Sequence, residues 1–384
     1  MSRFLFVVCP LTGHIHPAAA VSATLVGNGH DVAWVGPESV LRPVLGPGVG
    51  VYPTGVRAYR PLGEDDVRAF LDGYVIPLAR FILATVDRAV REFAPDVMVV
   101  DQHAIAGALV AYRHGLRWAS LVPAPMGLVE AADPRAEIEA WIRGPVADLW
   151  ARAGLDLPHN GDLLSATLYS PHLLVGFTTR ALLGAAALPD HAVLVGPALA
   201  DRPDEPAFAW DALDSRRRLV LVTVGTLNMG VATDFYHRTA LALAPLADRL
   251  QAIVVAPDHA LPDPPDNVLV APRVPVLSLM PRLDAVVCHA GMNTVAEALV
   301  HGVPIVAAPI RLDQPSNAEQ VRAAGAGIRV DFERATPRQL RRAITAVLDD
   351  PSYRQAAQRV RDSFAAAGGA VAAADHLVRL ANGT

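Results

Sequence analysis

Residues 286–314 read VVCHAGMNTVAEALVHGVPIVAAPIRLDQ, and this stretch decides the fold of the chain. Its first apolar run predicts a strand, the small residues after Cys288 predict a turn, and the pattern from Asn293 onward predicts a helix. A second apolar run at residues 305–308 predicts the next strand. A strand, a helix and a strand in this order predict two parallel strands in an α/β sheet.

The turn after the first of these strands has the features of an anion site. It contains His289 and Gly291, and Asn293 and Thr294 follow at the start of the helix. A helix N-terminus presents unpaired backbone N–H groups and the positive end of the helix dipole, which together suit a diphosphate. The alternative is an ordinary strand-to-helix corner that is capped by the side chain of Asn293 or Thr294.

Three further polar residues extend this region. Glu297 lies inside the helix, where a carboxylate can accept hydrogen bonds from two vicinal ribose hydroxyls. Asp313 and Gln314 follow the second strand, where they can contact a hexose beyond the phosphates. Polar residues at this spacing favour a nucleotide-sugar site. Otherwise the Asp313-Gln314 pair only caps a helix or a turn.

Composition narrows the class of protein. The chain has 384 residues, of which 52% are hydrophobic, and a formal net charge of -5. Its length favours two domains, and its composition indicates a packed globular protein. Nucleic acid is not an expected partner, because no basic excess is present to neutralise phosphates. No integral membrane segment is expected either, because the apolar run at residues 4–8 is too short.

Cysteine usage indicates a reducing compartment. Cys9 and Cys288 are the only two cysteines, and each closes an apolar strand. Buried thiols are therefore expected rather than a disulfide framework. A cytoplasmic location is the corresponding expectation.

The order of predicted elements divides the chain into two halves. Each half opens with an apolar strand and a turn of glycine and threonine, at Thr12-Gly13 in the first and at Gly225-Thr226 in the second. We therefore predict an α/β protein with two doubly wound, Rossmann-like domains that face each other across a cleft. The predicted divisions are an N-terminal domain, a linker, a C-terminal nucleotide-sugar-binding domain and a C-terminal helix, at residues 1–200, 201–217, 218–365 and 366–384.

Local patterns in the first half are less regular. Helices are predicted at residues 17–27 and 77–93, whereas residues 57–74 and 124–169 are predicted to be irregular. The second irregular segment carries large side chains that could line an acceptor pocket, namely Met126, Trp141 and Tyr169. The alternative for each is that it packs an ordinary helix against the sheet.

His14 and Asp101 are the candidate acid–base residues. His14 follows the first strand, and Asp101 ends the strand at residues 97–100. Parallel strands would present both side chains at one sheet edge, where a carboxylate can fix the tautomer of an imidazole and stabilise its protonated form. Asp101 could instead cap a helix near Ala104. Other histidines compete for the role of base, namely His16, His30 and His103.

With these motifs in hand, the chain resembles the inverting family 1 glycosyltransferases of the GT-B fold, particularly bacterial natural-product and carotenoid glycosyltransferases. The resemblance spans nearly the whole chain. It is carried by residues 13–17 (GHIHP), Asp101, the turn Gly225-Thr226 and the donor block at residues 275–314. It implies that the final helix crosses back to the first domain.

By position, the resemblance also implies a role for each motif residue. His14 is implied as the catalytic base, with Asp101 as its partner. Glu297 is implied on the ribose, and Asp313 with Gln314 on the sugar hydroxyls. The implied diphosphate contacts are His289, Gly291, Asn293 and Thr294, together with Thr226. The glycines of the two opening turns, Gly13 and Gly225, are also expected among the donor-binding residues.

The chain departs from the family pattern where the nucleobase binds. Plant members have a Trp-x-Pro-Gln motif, but this chain has Arg273-Val274-Pro275-Val276. A guanidinium can stack on a pyrimidine, while the backbone of Val274 is left to read the base. The expected co-substrate is a UDP-sugar, and a dTDP-sugar is the alternative. No metal cofactor is expected, because no Asp-x-Asp pair stands at a strand end.

The resemblance implies inverting transfer of a hexose to a hydroxyl of a small, largely apolar natural product, as in antibiotic biosynthesis. Four alternatives stay open: a dTDP-deoxysugar-dependent transferase, a lipid-II-type N-acetylglucosaminyltransferase, an inactive transferase-like accessory protein and a sugar-nucleotide epimerase. The lipid-II enzyme would have a longer loop at Gly225 and a basic membrane face, and an accessory protein should have lost His14 or Asp101. A homodimer is also left open.

Overall fold

The computed structural model describes residues 1–56, 67–124, 127–129, 136–158, 163–199, 206–225 and 228–383. The chain divides into two compact units. Unit 1 comprises Met1–Thr179, Ala185–Asp201 and Ala367–Thr384, and unit 2 comprises Arg180–Gly184 and Arg202–Ala366.

Unit 1 is built on a seven-stranded parallel sheet. Its strands are β1 (Arg3–Val7), β2 (Asp31–Gly36), β3 (Gly50–Pro53), β4 (Val97–Asp101), β5 (Arg117–Val122), β6 (Leu173–Gly176) and β7 (Ala192–Leu194). They lie in the order β3-β2-β1-β4-β5-β6-β7. The central strands are largely apolar because helices cover both faces of a doubly wound sheet.

The helices of unit 1 connect these strands. In chain order they are α1 (Thr12–Gly27), α2 (Glu38–Leu45), α3 (Val67–Phe70), α4 (Ile76–Phe93), α5 (Ala106–His114), α6 (Ala136–Arg152) and α7 (Leu163–Leu168). A π-helical turn, Leu71–Val75, joins α3 to α4.

Helix α1 begins earlier than the sequence pattern predicts. Its first residue is Thr12 rather than residue 17, and Pro17 lies inside the helix. Proline has no N–H for an i→i−4 bond and its ring crowds the carbonyl four residues earlier, but its φ is helical, so a helix held by packing can contain it. The backbone N–H of His14 bonds the Leu11 carbonyl at 2.9 Å. His14 is therefore part of the first helical turn.

The segments that were predicted to be irregular are largely helical where the structure describes them. Residues 67–93 form one helical run, and α6 and α7 occupy much of residues 136–168. In α6, Ile142, Val146 and Leu149 are buried on one face, although Gly144 and Pro145 hide this pattern in the sequence. Burial of an apolar face outweighs the low helix propensity of these two residues.

The helical run Val67–Phe93 has 27 residues and contains an 18-residue window with a mean hydropathy of 1.5, so by length and composition alone it could cross a membrane. Its apolar residues Ile82, Val86 and Val90 are buried within unit 1. Asp87 on the same run accepts a hydrogen bond from His114 of α5 at 2.8 Å. These contacts are those of a core helix.

Unit 2 is built on a six-stranded parallel sheet. Its strands are β8 (Arg218–Thr223), β9 (Leu250–Val255), β10 (Val268–Ala271), β11 (Ala285–Cys288), β12 (Ile305–Ala307) and β13 (Gly327–Arg329). They lie in the order β10-β9-β8-β11-β12-β13, which repeats the arrangement of the first six strands of unit 1.

The helices of unit 2 pack on both faces of this sheet. They are α8 (Arg180–Leu183), α9 (Thr233–Leu243), α10 (Val276–Leu279), α11 (Met292–Val300), α12 (Gln314–Ala323), α13 (Pro337–Asp349) and α14 (Pro351–Ala367). The last helix, α15 (Gly369–Asn382), packs in unit 1 against α1. Gly369 N bonds the Val195 carbonyl at 2.7 Å, and Arg117 Nη1 bonds the Leu380 carbonyl at 3.0 Å.

Each sheet has one point where the strand order reverses. In unit 1 this point lies between β1 and β4, and in unit 2 it lies between β8 and β11. Ligands of open α/β sheets bind beyond the carboxyl ends of the strands at such a switch point. The fold therefore directs attention to the residues that follow these four strands.

Candidate functional site

At the switch point of unit 1, the structure brings His14 and Asp101 together. His14 lies in the first turn of α1 after β1, and Asp101 is the last residue of β4. Strands β1 and β4 pair in parallel, with Val7 opposite Val100. His14 Nδ1 lies 2.6 Å from Asp101 Oδ2, and the His14 side chain is 14% exposed. Gly13, a predicted donor contact, lies next to His14 in the same turn.

The Asp101 carboxylate is buried and accepts further hydrogen bonds. Its Oδ1 accepts from the backbone N–H of His103 at 2.9 Å and from the Cys9 thiol at 3.3 Å. Burial by itself would raise the pKa of Asp101, but the charge and hydrogen bond of His14, with a smaller contribution from His103, bring it below its usual value. Asp101 is therefore held as a carboxylate.

The geometry decides between the two interpretations of Asp101, as the partner of His14 or as a helix cap. Asp101 does not cap the following helix, because α5 begins at Ala106 and its N-cap residue is Ile105. Since the ionised carboxylate only accepts, His14 Nδ1 carries the proton of their hydrogen bond, and the lone pair lies on Nε2. A neutral imidazole in this tautomer can take a proton from a hydroxyl.

The other candidate histidines have different environments. His30 Nδ1 accepts from the backbone N–H of Ser2 at 3.1 Å, and His16 lies further along α1. The His103 ring lies 5.0 Å from that of His14. Burial and then the His14 charge lower the pKa of His103 to about 3, although Asp101 opposes this shift. His103 is thus neutral at physiological pH and is a poor base.

Cys9, His14 and Asp101 present possible metal-ligand atoms within 4.8 Å of one another. Burial, followed by the Asp101 charge, raises the pKa of the Cys9 thiol well above its usual value. A thiol that keeps its proton is a hydrogen-bond donor and not a good metal ligand. These three residues fit a hydrogen-bonded chain better than a metal site.

Two aromatic side chains that the sequence analysis did not single out, Phe70 and Tyr74, lie near His103. The Phe70 ring is 5.0 Å from His103 and 5.3 Å from Tyr74. Phe70 and Tyr74 are four residues apart in the helical run, and that spacing is the sequence signal for a shared helix face. Phe70 is 7% exposed, so it packs mainly against His103, the neighbour of the candidate base.

The three predicted acceptor-binding residues are placed differently. Met126 lies outside the described residues. Trp141 is 36% exposed, and the Arg68 guanidinium lies 6.0 Å from the centre of its ring. Tyr169 is only 8% exposed. An acceptor role for any of them stays a prediction.

At the switch point of unit 2, the His289 ring lies against two glycines. A Cβ atom at Gly225 would lie 2.7 Å from Cε1 and Nε2 of His289, and one at Gly291 would lie 2.8 Å from Cε1. Gly225 also has a φ of 71°, which favours glycine. Any side chain at either position would displace the imidazole. Thr226, the neighbour of Gly225, lies outside the described residues.

His289 is buried and neutral. Burial, and then the positive charge of Arg311, lower its pKa to about 4. Its Nδ1 is buried and has no hydrogen-bond partner among the described residues. A buried ring nitrogen without a partner is costly in a folded protein, and such groups are common at ligand sites.

The helix that follows His289 is capped by a glycine. Gly291 is the N-cap residue of α11, and it provides no side-chain bond. The proposed cap by Asn293 or Thr294 is therefore wrong, because both residues lie inside the first turn. Ala290 has a φ of 61°, which costs energy for a residue with a Cβ atom. The first-turn N–H groups of α11 are thus presented by a strained turn.

The turn after β12 is held by side chains. Gln314 Oε1 accepts from the backbone N–H of Ile310 at 2.9 Å and of Arg311 at 3.1 Å. Asn317 Nδ2 donates to Asp313 Oδ2 at 2.7 Å and to the Ala290 carbonyl at 3.1 Å. The side-chain oxygen of Gln314 is thus already hydrogen-bonded within this turn. Asn317 connects this turn to the turn after β11.

The remaining predicted donor contacts also follow strands of unit 2. Glu297 is 3% exposed in α11, and its charge adds to burial in raising the pKa of Cys288 to about 12. Arg273 is exposed after β10, whereas the Val274 side chain is 6% exposed and packs in the core. The Val274 side chain is therefore not available to a base, and a contact through its backbone stays a prediction.

Three residues of this region were missed by the sequence analysis: Asn228, Arg311 and Asn317. Arg311 Nη2 donates to Asn228 Oδ1 at 2.9 Å. The available signals were weak: Arg311 is a charged residue in an otherwise apolar turn, and Asn317 stands four residues after Asp313. Neither signal predicts a contact between separate turns.

Comparisons with known proteins identify glycosyltransferases of antibiotic biosynthesis among the similar proteins. Residues 241–380 match the family model described as the erythromycin biosynthesis protein CIII-like, C-terminal domain. The chain is 28% identical to 4'-demethylrebeccamycin synthase of Lentzea aerocolonigenes over 97% of this chain and 98% of that protein. It is also 28% identical to the oleandomycin glycosyltransferase of Streptomyces antibioticus, over 94% of this chain and 87% of that protein.

Solved structures share the fold of this chain. The kitacinnamycin glycotransferase has a TM-score of 0.82 and 26% identity, and the match covers 99% of this chain and 98% of that one. The glycosyltransferase VinC in complex with dTDP has a TM-score of 0.73 and 18% identity, over 100% of both chains. The second likeness is one of fold alone.

Proposed function

We propose that this chain, a GT-B glycosyltransferase similar to those of antibiotic biosynthesis, moves a hexose from a nucleoside diphosphate sugar to a hydroxyl of a small, largely apolar natural product. The observation that carries the proposal is the 2.6 Å contact between His14 and Asp101 at the switch point of unit 1. An inactive accessory protein would have no need to retain this pair.

In this proposal the two units bind different substrates. Unit 1 holds the acceptor beside His14, whose neighbour His103 packs against Phe70. Unit 2 holds the donor, with the diphosphate at His289 and the N-terminus of α11, and the ribose at Glu297. Charge that develops on the departing diphosphate meets donors that are already oriented, so a metal is not required.

The reaction then follows from the tautomer of His14. The acceptor hydroxyl gives its proton to Nε2, and its oxygen attacks the anomeric carbon from the face opposite the nucleotide. The bond between that carbon and the phosphate oxygen breaks, so the configuration inverts. Asp101 stabilises the imidazolium that forms. We place this reaction in the cytoplasm.

A UDP-hexose, with glucose as the first choice, is the proposed donor, because Asp313 can accept from vicinal sugar hydroxyls. A dTDP-deoxysugar is a second candidate, since Gln314 Oε1 is already occupied by the turn and cannot accept from a hydroxyl. Thermal shifts with a panel of UDP- and dTDP-sugars separate the two, because a ligand at 100 times its Kd adds about 2.7 kcal/mol of stability.

The test of the catalytic assignment is His14→Ala. Loss of a general base should reduce transfer by about 10²- to 10⁴-fold, whereas donor affinity measured by calorimetry should stay within about twofold. His30→Ala is the matched control, because His30 bonds Ser2 and not Asp101. Wild-type turnover in His14→Ala would show that another group is the base.

A further inference from the structure

We infer that Arg311 is a diphosphate-binding residue, which supplies a fixed positive charge to the leaving nucleoside diphosphate. The inference rests on the proposed function, because it names a further residue of the same donor site. Neither the motif pattern nor the resemblance indicated a role for Arg311. The geometry of unit 2 indicates one.

The backbone of Arg311 is held in place. Its N–H and that of Ile310 both donate to Gln314 Oε1. The next residue, Leu312, has a φ of 54°, and Asn317 fixes Asp313 beyond it at 2.7 Å. Strained residues that are held by such bonds are typical of functional sites. The backbone from which the Arg311 side chain extends is therefore rigid.

The side chain spans the switch point. Strands lie in the order β8-β11-β12, and Arg311 follows β12. Its Nη2 reaches Asn228 Oδ1, beyond the end of β8, at 2.9 Å. Asn228 is 2% exposed and is fixed by its own bond to the Val224 carbonyl at 2.9 Å. The guanidinium must pass the end of β11, which is where His289 lies.

The positive charge of Arg311 also acts on His289. After burial, the positive charge of Arg311 is the second cause of the low pKa of His289. His289 is consequently neutral when the donor binds, and it can offer a hydrogen bond but no charge. A guanidinium, by contrast, carries a full positive charge. Arg311 is thus the full positive charge that acts on this part of the site.

The chemistry of the leaving group fits a guanidinium. When the bond from the anomeric carbon to the phosphate oxygen breaks, its electron pair remains on the diphosphate, which becomes more negative. Arginine binds phosphate through parallel N–H donors in a planar fork. A fixed cation stabilises this charge more in the transition state than in the ground state, which is the requirement for catalysis.

The competing explanation is that Arg311 only supports Asn228 and the turn after β8. In that case its loss would lower stability and would weaken nucleosides and nucleoside diphosphates alike. If Arg311 instead binds the diphosphate, its loss should weaken binding of the nucleoside diphosphates and leave binding of the nucleosides unchanged. The comparison of uridine with UDP, and of thymidine with dTDP, therefore separates the two explanations.

The experiment is calorimetric titration of Arg311→Gln and Arg311→Lys with these four ligands. Arg311→Gln should weaken the better-bound diphosphate by about 10- to 100-fold, the range of a hydrogen bond to a charged group, and should leave the matching nucleoside within about twofold. Arg311→Lys, which keeps the charge, should recover part of the loss. The matched control is Arg322→Gln on α12, whose side chain is 57% exposed and pairs with Glu319.

A second measurement does not need a ligand. In an NMR titration of the unliganded protein, the pKa of His289 should be higher in Arg311→Gln than in the wild type, because a like charge has been removed. Equal weakening of nucleoside and diphosphate, or unchanged diphosphate affinity, would overturn the inference. A wild-type protein that binds neither diphosphate would instead overturn the proposed function.

Discussion

The close approach of Gly291 to His289 is the sharpest constraint at the scale of single residues. Gly291 has a φ of -62°, which every residue can adopt, so the requirement for glycine is steric. A Cβ atom there would lie 2.8 Å from Cε1 of the imidazole and closer still to Nε2. The alanine methyl group must therefore move the ring or the first turn of α11.

We expect Gly291→Ala to weaken binding of the nucleoside diphosphate by about tenfold or more, since overpacking of this kind typically costs about 1–3 kcal/mol. The control is Gly230→Ala, because a Cβ atom at Gly230 has no neighbour within 4 Å. Calorimetric Kd values for both variants check this. Equal affinities in Gly291→Ala and the wild type would show that the position of His289 does not matter for the diphosphate.

At the scale of elements, the packing of α5 on the sheet supports the base. Gly107 lies in the first turn of α5, and a Cβ atom there would meet both Cγ atoms of Val100 at 2.8 Å and Val7 Cβ at 3.2 Å. Val100 precedes Asp101 on β4, and Val7 ends β1. The helix can approach the switch point of unit 1 only because this residue has no side chain.

Gly107→Ala should therefore lower the free energy of unfolding by about 1–3 kcal/mol and should also reduce turnover, because Val100 and Asp101 move together. Gly27→Ala at the end of α1 is the control, since a Cβ atom there has no neighbour within 4 Å. It should be neutral or slightly stabilising. Urea unfolding of both variants gives the comparison, and a neutral Gly107→Ala would mean that α5 can shift freely.

At the scale of the whole molecule, buried neutral histidines make stability depend on pH in both units. Burial is the main cause of a folded-state pKa of about 3 for His103 in unit 1 and of about 4 for His289 in unit 2, against an ordinary value of 6.5. Between these values the unfolded chain binds more protons than the folded one. Their stabilising contribution is therefore complete above pH 6.5 and falls with acidification.

The expected outcome is a loss of stability between about pH 6.5 and pH 4, of which His289 accounts for roughly 3 kcal/mol at about 1.4 kcal/mol per pKa unit. The lowered pKa of Asp101 acts in the same direction at still lower pH. Urea unfolding at a series of pH values measures the slope. His289→Asn should flatten it, whereas a change at the exposed His259 should not. An unchanged slope in His289→Asn would contradict the assignment.

The sequence by itself determined the fold class and the position of the polar residues along it. Buried parallel strands are continuous apolar runs, so β1, β4, β11 and β12 can be recognised locally. The residues that follow them, among them His14 and His289, then belong to the carboxyl edges of the sheets. Short edge strands such as β7, Ala192–Leu194, are too brief to produce such a signal.

Only the tertiary structure decided which polar groups meet. The Arg311–Asn228 bond joins residues that are 83 positions apart, and the bond from Asn317 to the Ala290 carbonyl joins residues 27 positions apart. Such contacts depend on the order of strands in the sheet, which is set by packing of the whole unit and leaves no local pattern. The start of α1 at Thr12 was decided in the same way, because burial of the helix outweighs the local signal of Pro17.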